Sequence, residues 1–166
     1  MKIARRRGDQ DGRRAESARH FVERFALVMA ASGFPRMPAR VFAALLTADS
    51  GARTAGELAA SLRISRAAVS GAVKYLEQAN FLEREREPGA RVDRYRVLAD
   101  LWVQNMVRKD ALLQAWERSL AEGVGVLGAA TPAGLRLEET RRFFEFVRGE
   151  FPGIIARWQR LRAASR

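Results

Sequence analysis

The residues best suited to chemistry lie in SRAAVSGAVKYL, residues 65–76, where small side chains and only two cations share one side of a predicted helix. Apolar residues recur at helical spacing and predict its buried side: Val69, Val73 and Leu76. The opposite side holds the cations among small residues: Arg66, Ser70, Gly71 and Lys74. A helix in the major groove of DNA, roughly 12 Å wide, must bring its backbone close to the base edges, which small residues permit. The pattern therefore predicts groups that read bases and hold phosphates.

Individual roles follow from side-chain chemistry. Arg66 is a candidate for guanine or a phosphate, and Lys74 for the DNA backbone. Ser65 and Ser70 could contact bases or phosphate, and Ala67 would allow close approach. The alternative is an ordinary solvated helix whose small-residue face packs on a neighbouring element. The elements before and after this helix favour the DNA interpretation.

The preceding residues predict a second helix, joined to this one by a tight turn. TAGELAASL (54–62) begins with Thr54 and has Glu57 three residues later, which is the spacing of a capping box. Ser65 can cap the helix that follows the turn. We therefore expect a helix-turn-helix over residues 54–79.

The residues that follow predict a β-hairpin. FLEREREPGARVDRYRV (81–97) alternates in charge around the turn sequence PGA. Arg84 and Arg86 share one strand face. Arg91 and Arg94, near the turn, have fewer acidic neighbours and are candidates for the minor groove or phosphates. The alternative is a solvated ribbon with cross-strand ion pairs. A hairpin directly after a helix-turn-helix predicts a winged helix.

Helical periodicity continues on both sides of this domain. We expect a basic, flexible tail over 1–14, a dimerisation helix over 15–32, a winged helix-turn-helix over 33–98 and a helical dimerisation region over 99–166, bent or split near Pro152. Aromatic residues of the last region could line a ligand pocket or form core and dimer interface: Trp102, Trp116, Phe143, Phe144, Phe146 and Trp158. The predicted fold is mainly α with a small β-wing.

Composition excludes several classes of site. The 166 residues include no cysteine and a single histidine, His20, which excludes thiolate metal sites, disulfides and histidine clusters. GVGVLG (123–128) spells G-x-G-x-x-G, but a helix and not a strand is expected before it, so the glycines are expected to end that helix. No apolar run approaches 18 residues. We expect no enzyme activity, no cofactor, no metal and no membrane partner.

The charge balance indicates a polyanionic partner. The formal net charge is +11 at pH 7, which favours nucleic acid. The absence of cysteine fits a reducing cytoplasm. Double-stranded DNA is therefore the expected partner, and a cytoplasmic, nucleoid-associated location is the expected one.

The stretch TAGELAASLRISRAAVSGAVKYLEQANFLEREREPGARVDRYRV (54–97) resembles the winged helix-turn-helix of MarR-type bacterial transcriptional regulators. It is most similar to the branch that includes the glycine-betaine synthesis repressors. The resemblance extends over 34–98, and it implies a homodimer whose second motif helix enters the major groove. Asp93 and Arg94 match the Asp-Arg pair that many members carry in the wing. Residues and resemblance together define the candidate DNA-binding set: Thr54, Ser65, Arg66, Ala67, Ser70, Lys74, Arg84, Arg86, Arg91 and Arg94.

We therefore predict a sequence-specific regulator of transcription, a repressor, that binds a palindromic operator as a homodimer and responds to a small-molecule effector. Two other functions stay open. The net charge alone would suffice for a sequence-indifferent, nucleoid-type DNA-binding protein. A winged helix that has lost DNA binding could be a protein-interaction module, although partner surfaces usually carry apolar or aromatic anchors, which the face of 65–76 lacks.

Overall fold

The computed structural model describes residues 2–86, 89 and 91–165, with side chains from residue 12 onward. The elements within this part of the chain are α1 (Lys2–Ala31), α2 (Arg36–Leu46), β1 (Ala52–Thr54), α3 (Ala55–Leu62), α4 (Arg66–Gln78), β2 (Leu82–Glu85), β3 (Arg94–Val97), α5 (Leu101–Leu127) and α6 (Pro132–Ala164). The chain divides between residues 101 and 102 into two compact units. This mainly helical fold with a small antiparallel sheet confirms the predicted fold class.

The core of the first unit lies where α2, α3 and α4 meet. Its largest fully buried side chains are Val41, Phe42, Leu45, Leu58, Val69, Val73 and Leu76. Each such side chain contributes roughly 1.5–3 kcal/mol through burial. Phe81 packs edge to face on Phe42 and Phe34, with ring centroids 5.2 and 5.1 Å away. Helix α1 adds Val22 and Ala26 to this core. The apolar face predicted for α4 therefore holds it against α2 and α3.

Side-chain caps determine where α3 and α4 begin. The Thr54 hydroxyl accepts from the Glu57 amide at 3.2 Å, and the Glu57 carboxylate accepts from the Thr54 amide at 2.6 Å, which confirms the capping box. Arg63 ends α3 in the left-handed conformation, with φ of 53°. The Ser65 hydroxyl then accepts from the Ala68 amide at 3.1 Å and caps α4, also as predicted.

The three strands form one antiparallel sheet in the order β1–β3–β2. Tyr95 of β3 is the central residue, since it pairs with Arg53 of β1 on one side and Arg84 of β2 on the other. The sequence did not predict β1, because three residues are too few to show strand alternation. Strands β2 and β3 form the wing, while the predicted turn at PGA (88–90) falls largely outside the residues that the structure describes.

The second unit is a helical hairpin of α5 and α6. Gly128 ends α5 with φ of +86°, and Thr131 caps α6 by accepting from the Gly134 amide at 3.0 Å. The two helix ends come so close that a Cβ at Gly134 would lie 2.1 Å from the Gly128 carbonyl oxygen. A Cβ at Gly123 would likewise lie 2.9 Å from the Leu137 side chain. Small residues at these positions therefore allow α5 and α6 to approach each other this closely.

Three boundaries differ from the sequence predictions. Helix α1 is continuous from Lys2 to Ala31, so no helix end coincides with residue 14. Lysine, arginine, alanine and glutamine are good helix formers, and they outnumber the two glycines of this stretch. The glycines at 123 and 125 lie inside α5, and only Gly128 ends it. Helix α6 continues through Pro152 without a break, because proline removes one hydrogen bond while the flanking turns keep theirs.

The long helices are amphipathic and carry charge. Over the part of the chain with described placement, no helix is long and apolar enough to cross a membrane.

Candidate nucleic-acid interface

Helix α4 has one buried and one exposed side. Val69, Val73 and Leu76 are at most 2% exposed, which confirms the predicted apolar face. The opposite side is exposed along its length, and we call it the small-residue face: Arg66, Ala67, Ser70, Gly71 and Lys74. A Cβ placed at Gly71 would have no described atom within 4 Å. The rest of the described chain therefore leaves this face uncovered, contrary to the alternative in which it packs on a neighbouring element.

The cations of the small-residue face are available for an external anion. Within the described residues, Arg66 and Lys74 form no hydrogen bond or ion pair through their side chains. They are eight positions apart, which at the helical rise of about 1.5 Å per residue places them roughly 12 Å apart along the axis. One therefore lies at the start of α4 and the other near its last turns.

The hydroxyls at the two helix starts keep a donor. The oxygens of Ser65 and Thr54 accept backbone amide protons within their own helices, but each hydroxyl proton can still be donated outward. The hydrogen bond from the Thr54 amide also lowers the pKa of Glu57, which keeps this exposed carboxylate charged. Thr54 and Ser65 can therefore cap their helices and donate to a phosphate at the same time.

Two arginines of the wing pair with carboxylates of the same chain. Arg84 donates to Glu77 of α4, with Nε and Oε1 3.1 Å apart, and lies over the Tyr95 ring at 5.6 Å. Arg86 donates to Asp93, with Nε and Oδ1 2.6 Å apart, and Arg84 lies 3.6 Å from the other oxygen of that carboxylate. The hydrogen bond that Arg84 donates to Glu77 raises the pKa of Arg84, and the one that Arg86 donates to Asp93 lowers the pKa of Asp93.

These pairs connect the wing to the end of α4. The alternative of ion pairing on a solvated ribbon therefore describes Arg84 and Arg86 in the free chain. Sequence reasoning missed Glu77, because its partner lies seven residues away across a turn, outside any helical or strand period. The only signal in the sequence that could have indicated Glu77 is its position, since it is an acidic residue near the end of a helix that precedes a basic strand.

The remaining wing arginines differ in exposure. Arg94 is half-buried and its Nη2 donates to the Ala52 carbonyl at 3.4 Å, which connects β3 to β1. Arg91 is exposed and forms no side-chain hydrogen bond or ion pair within the described residues. The structure thus brings Thr54, Ser65 and the small-residue face onto one helix-turn-helix, and it leaves Arg91 as the unpaired wing cation among the described residues.

The helical hairpin of the second unit leaves its large apolar side chains uncovered. Among the described residues of α5 and α6, only Leu101 and Gly134 are buried. Trp116 and Phe144 contact each other, with ring centroids 5.2 Å apart, yet Trp116 is 48% exposed. Phe146, at 66% exposed, has little cover from its own chain. These aromatic residues therefore form no closed core within one chain.

Ion pairs hold the two helices of this hairpin together. Arg148 of α6 donates to Glu117 of α5 at 2.9 Å and lies 3.6 Å from Asp110. Within α6, Glu138 accepts from Arg141 and Arg142, and these bonds lower its pKa to about 2. Over the described part of the chain, no group of three histidine, cysteine, aspartate or glutamate residues could hold a metal ion.

Comparisons with known proteins agree with this arrangement. A family model described as the MarR family matches residues 32–91, and one described as an MmpR5-like MarR family transcriptional regulator matches residues 100–162. Among solved structures, the chain is similar to one described as "Crystal Structure of a transcriptional regulator", with 22% identity and a TM-score of 0.73. That match covers 87% of this chain and 99% of the other, and it shows the fold. No curated protein matches the chain.

Proposed function

Since the chain is a MarR-family transcriptional regulator with a winged-helix fold, we propose that it binds a palindromic DNA operator as a homodimer and represses transcription. The family and fold are those of transcriptional regulators, which are not enzymes. The observation that carries the proposal is the small-residue face of α4, exposed and with two unpaired cations among the described residues. An α-helix with such a face can lie deep in a major groove.

Contacts on this interface divide into two kinds. Arg66, at the start of α4, reads a base edge, since the N-terminal residues of a recognition helix face the bases. Lys74, Thr54 and Ser65 hold phosphates, which position the helix without reading sequence. Arg91 of the wing adds a contact to the minor groove or to a phosphate. Arg84, Arg86 and Arg94 contribute to this contact by shaping the wing, and Arg84 and Arg86 also contact DNA directly where it displaces their carboxylate partners.

Homodimerisation is proposed from the uncovered apolar surface of α5 and α6. Several large aromatic side chains of this hairpin are about half exposed or more, and clusters of exposed apolar side chains mark interaction surfaces. Helix α1 of the first unit also has exposed apolar residues of its own: Phe21, Leu27 and Val28, which are 44%, 53% and 64% exposed. Two copies related by a two-fold axis would bury these stripes and place two recognition helices about 34 Å apart, one turn of DNA.

Further parts of the proposal rest on the resemblance of residues 54–97 to family members. They are a repressor role, a response to a small-molecule effector, a cytoplasmic and nucleoid-associated location, and kinship with the glycine-betaine synthesis repressor branch. A basic N-terminal segment, residues 1–14, adds sequence-independent affinity for DNA. Its deletion should therefore reduce non-specific binding more than discrimination between sequences.

The testing experiment is selection of bound duplexes from a random library at about 150 mM salt, followed by sequencing. We expect an enriched palindrome with half-sites about ten base pairs apart. A double variant, R66A/K74A, should lose the enrichment. The matched control is R24A/R36A, which removes two exposed arginines of α1 and α2 and the same charge.

Other results would contradict the proposal in different ways. Tight binding at low salt without an enriched motif would indicate a sequence-indifferent DNA-binding protein. Weak binding that salt abolishes, together with a tight protein partner, would indicate an interaction module. A monomer in sedimentation experiments, with an enriched site that lacks symmetry, would refute the homodimer while leaving DNA reading intact.

A further inference from the structure

The end of α4 and the start of the wing are joined by an ion pair between Glu77 and Arg84. Two nitrogens on one edge of the guanidinium donate to the carboxylate, Nε to Oε1 at 3.1 Å and Nη2 to Oε2 at 3.3 Å. The Tyr95 ring lies on the same guanidinium, with its centroid 5.6 Å from Cζ. A two-point contact of this kind fixes the plane of the guanidinium and engages both carboxylate oxygens.

The chain between these two residues is held in one conformation. The amides of Asn80 and Phe81 donate to the carbonyls of Glu77 and Leu76 at 2.9 and 2.8 Å, and Asn80 is left-handed with φ of 55°. This is the Schellman motif that ends many helices. The Phe81 ring then packs in the core. The pairing of Glu77 with Arg84 is therefore built into the connection between α4 and β2.

Glu77 has a second cation beside it on α4 but does not pair with it. Lys74 precedes it by three positions, so the two side chains are neighbours on the helix surface. Lys74 nevertheless forms no side-chain hydrogen bond or ion pair within the described residues, whereas Arg84 donates twice to Glu77. Of the two cations next to Glu77, the fold neutralises Arg84 and leaves Lys74 available.

Asp93 is another carboxylate near Arg84, but its short contact is with Arg86. The Nε of Arg86 lies 2.6 Å from Oδ1 of Asp93, whereas Nη1 of Arg84 lies 3.6 Å from Oδ2, which is too long for a hydrogen bond. Glu77 is thus the carboxylate that occupies the donating edge of Arg84.

This pair is placed where DNA can compete for it. The side chains of Arg84 and Glu77 are 51% and 29% exposed, and ion pairs at such positions stabilise a fold only weakly. A DNA phosphate offers a guanidinium edge the same two anionic oxygens as a carboxylate does. We propose that Glu77 substitutes for a phosphate, so that it occupies Arg84 and keeps this wing cation out of sequence-independent contacts with DNA.

Glu77 is then a positioning residue, since it acts through Arg84 and touches no DNA itself. A phosphate gains Arg84 only by displacing Glu77, so each such contact is weakened by the strength of the pair. The inference rests on the proposed function, because it requires DNA beside α4 and the wing.

The test is Glu77→Gln in the full-length protein, with random-sequence duplexes as the probe. Glutamine keeps the size of the side chain but loses the charge, which makes Arg84 available to a phosphate. Affinity should rise about two- to fivefold for each winged helix that contacts the duplex, which corresponds to the strength of an exposed ion pair. The fall of log affinity with log salt should steepen by up to about 0.9 per winged helix, since one more phosphate is neutralised. Loss of a merely structural contact would not steepen it.

Two further variants separate Arg84 from general charge. Glu83→Gln removes the same charge from an exposed position of β2 whose side chain has no hydrogen bond or ion pair within the described residues, and it should leave the salt dependence unchanged. The double variant E77Q/R84Q has the net charge of the original chain and should return to its affinity and salt dependence. Equal gains in E77Q and E83Q, or a gain that persists in E77Q/R84Q, would overturn the inference.

The same measurements separate this inference from the proposed function. If the original chain selects a palindrome but E77Q neither binds random duplexes more tightly nor steepens the salt dependence, the regulator role stands and the inference is wrong. If E77Q does both while no palindrome is selected, Glu77 does withhold Arg84 and the sequence-specific role fails. If the original chain and E77Q bind no duplex even at low salt, both are overturned.

Discussion

Replacement of Arg66 by alanine tests the reading of the small-residue face most directly. Arg66 is the first residue of α4, and its exposed side chain has no hydrogen-bond or ion-pair partner within the described residues. Alanine is a better helix former, so the free energy of unfolding should change by no more than about 0.5 kcal/mol. Any larger effect on DNA binding therefore reports a lost contact with DNA.

The magnitude follows from one arginine in each half-site. A bidentate contact with guanine discriminates by about 1–3 kcal/mol, which is roughly 5- to 150-fold in affinity. A homodimer on a palindrome loses this contact twice, so the free-energy loss should double to about 2–6 kcal/mol. On a duplex with one half-site already altered at the contacted base, the variant should lose only the single contact of the intact half-site.

The assay is equilibrium binding to the selected palindrome and to its single-base variants, at several salt concentrations. Arg66→Ala should flatten the preference at one base position per half-site and leave the other positions unchanged. Arg24→Ala, which removes an exposed charge from α1, is the control. Equal weakening on every sequence, with a shallower salt dependence, would make Arg66 a phosphate contact, and unchanged affinity would refute the placement of α4 in the groove.

Three other perturbations have outcomes set by local geometry. Ser65→Ala removes the cap of α4 and should lower the free energy of unfolding by about 1 kcal/mol, measured by denaturant unfolding. A smaller loss than that of an alanine variant at an exposed, non-capping serine would contradict the cap. Gly134→Ala should lower the melting temperature, since its Cβ would lie 2.1 Å from a carbonyl oxygen, whereas Gly149→Ala meets no atom within 4 Å and should not. Hydrogen bonds from Arg141 and Arg142 lower the pKa of Glu138 to about 2, so this pairing stabilises the fold at neutral pH and is lost as pH falls towards 2. Glu138→Gln should reduce this acid sensitivity in thermal melts, and an unchanged pH profile would contradict it.

Features that depend on neighbours along the chain were predicted correctly. The capping box at Thr54 and Glu57 and the cap at Ser65 involve bonds across three residues, so spacing alone reveals them. The division of α4 into buried and exposed sides was predictable because its apolar residues recur at helical spacing, and these are the residues that the core buries. The flanking helices were also recognised as helices, although their ends were displaced.

Features that depend on distant pairing were not predictable. Strand β1 exists because Ala52–Thr54 pairs with residues 94–96, forty or more positions later. Arg84 was a candidate for DNA contact from its charge, but its neighbours in space are Glu77, Asp93 and Tyr95. A cavity of the first unit is lined by residues of α1, α2, β1 and the end of α3, which are far apart in the sequence, so no local pattern signals it.

The sequence by itself determined the helix-turn-helix, its caps and the exposed face of α4 with its few cations. These features depend on helical periodicity and on hydrogen bonds between residues that are close in the sequence. Tertiary structure decided which cations remain available. Ion pairs within the wing and to α4 engage Arg84 and Arg86, while the side chains of Arg66, Lys74 and Arg91 stay unpaired among the described residues. The physical reason is that an arginine's charge is local, whereas the carboxylate that neutralises it is brought near only by the folded chain.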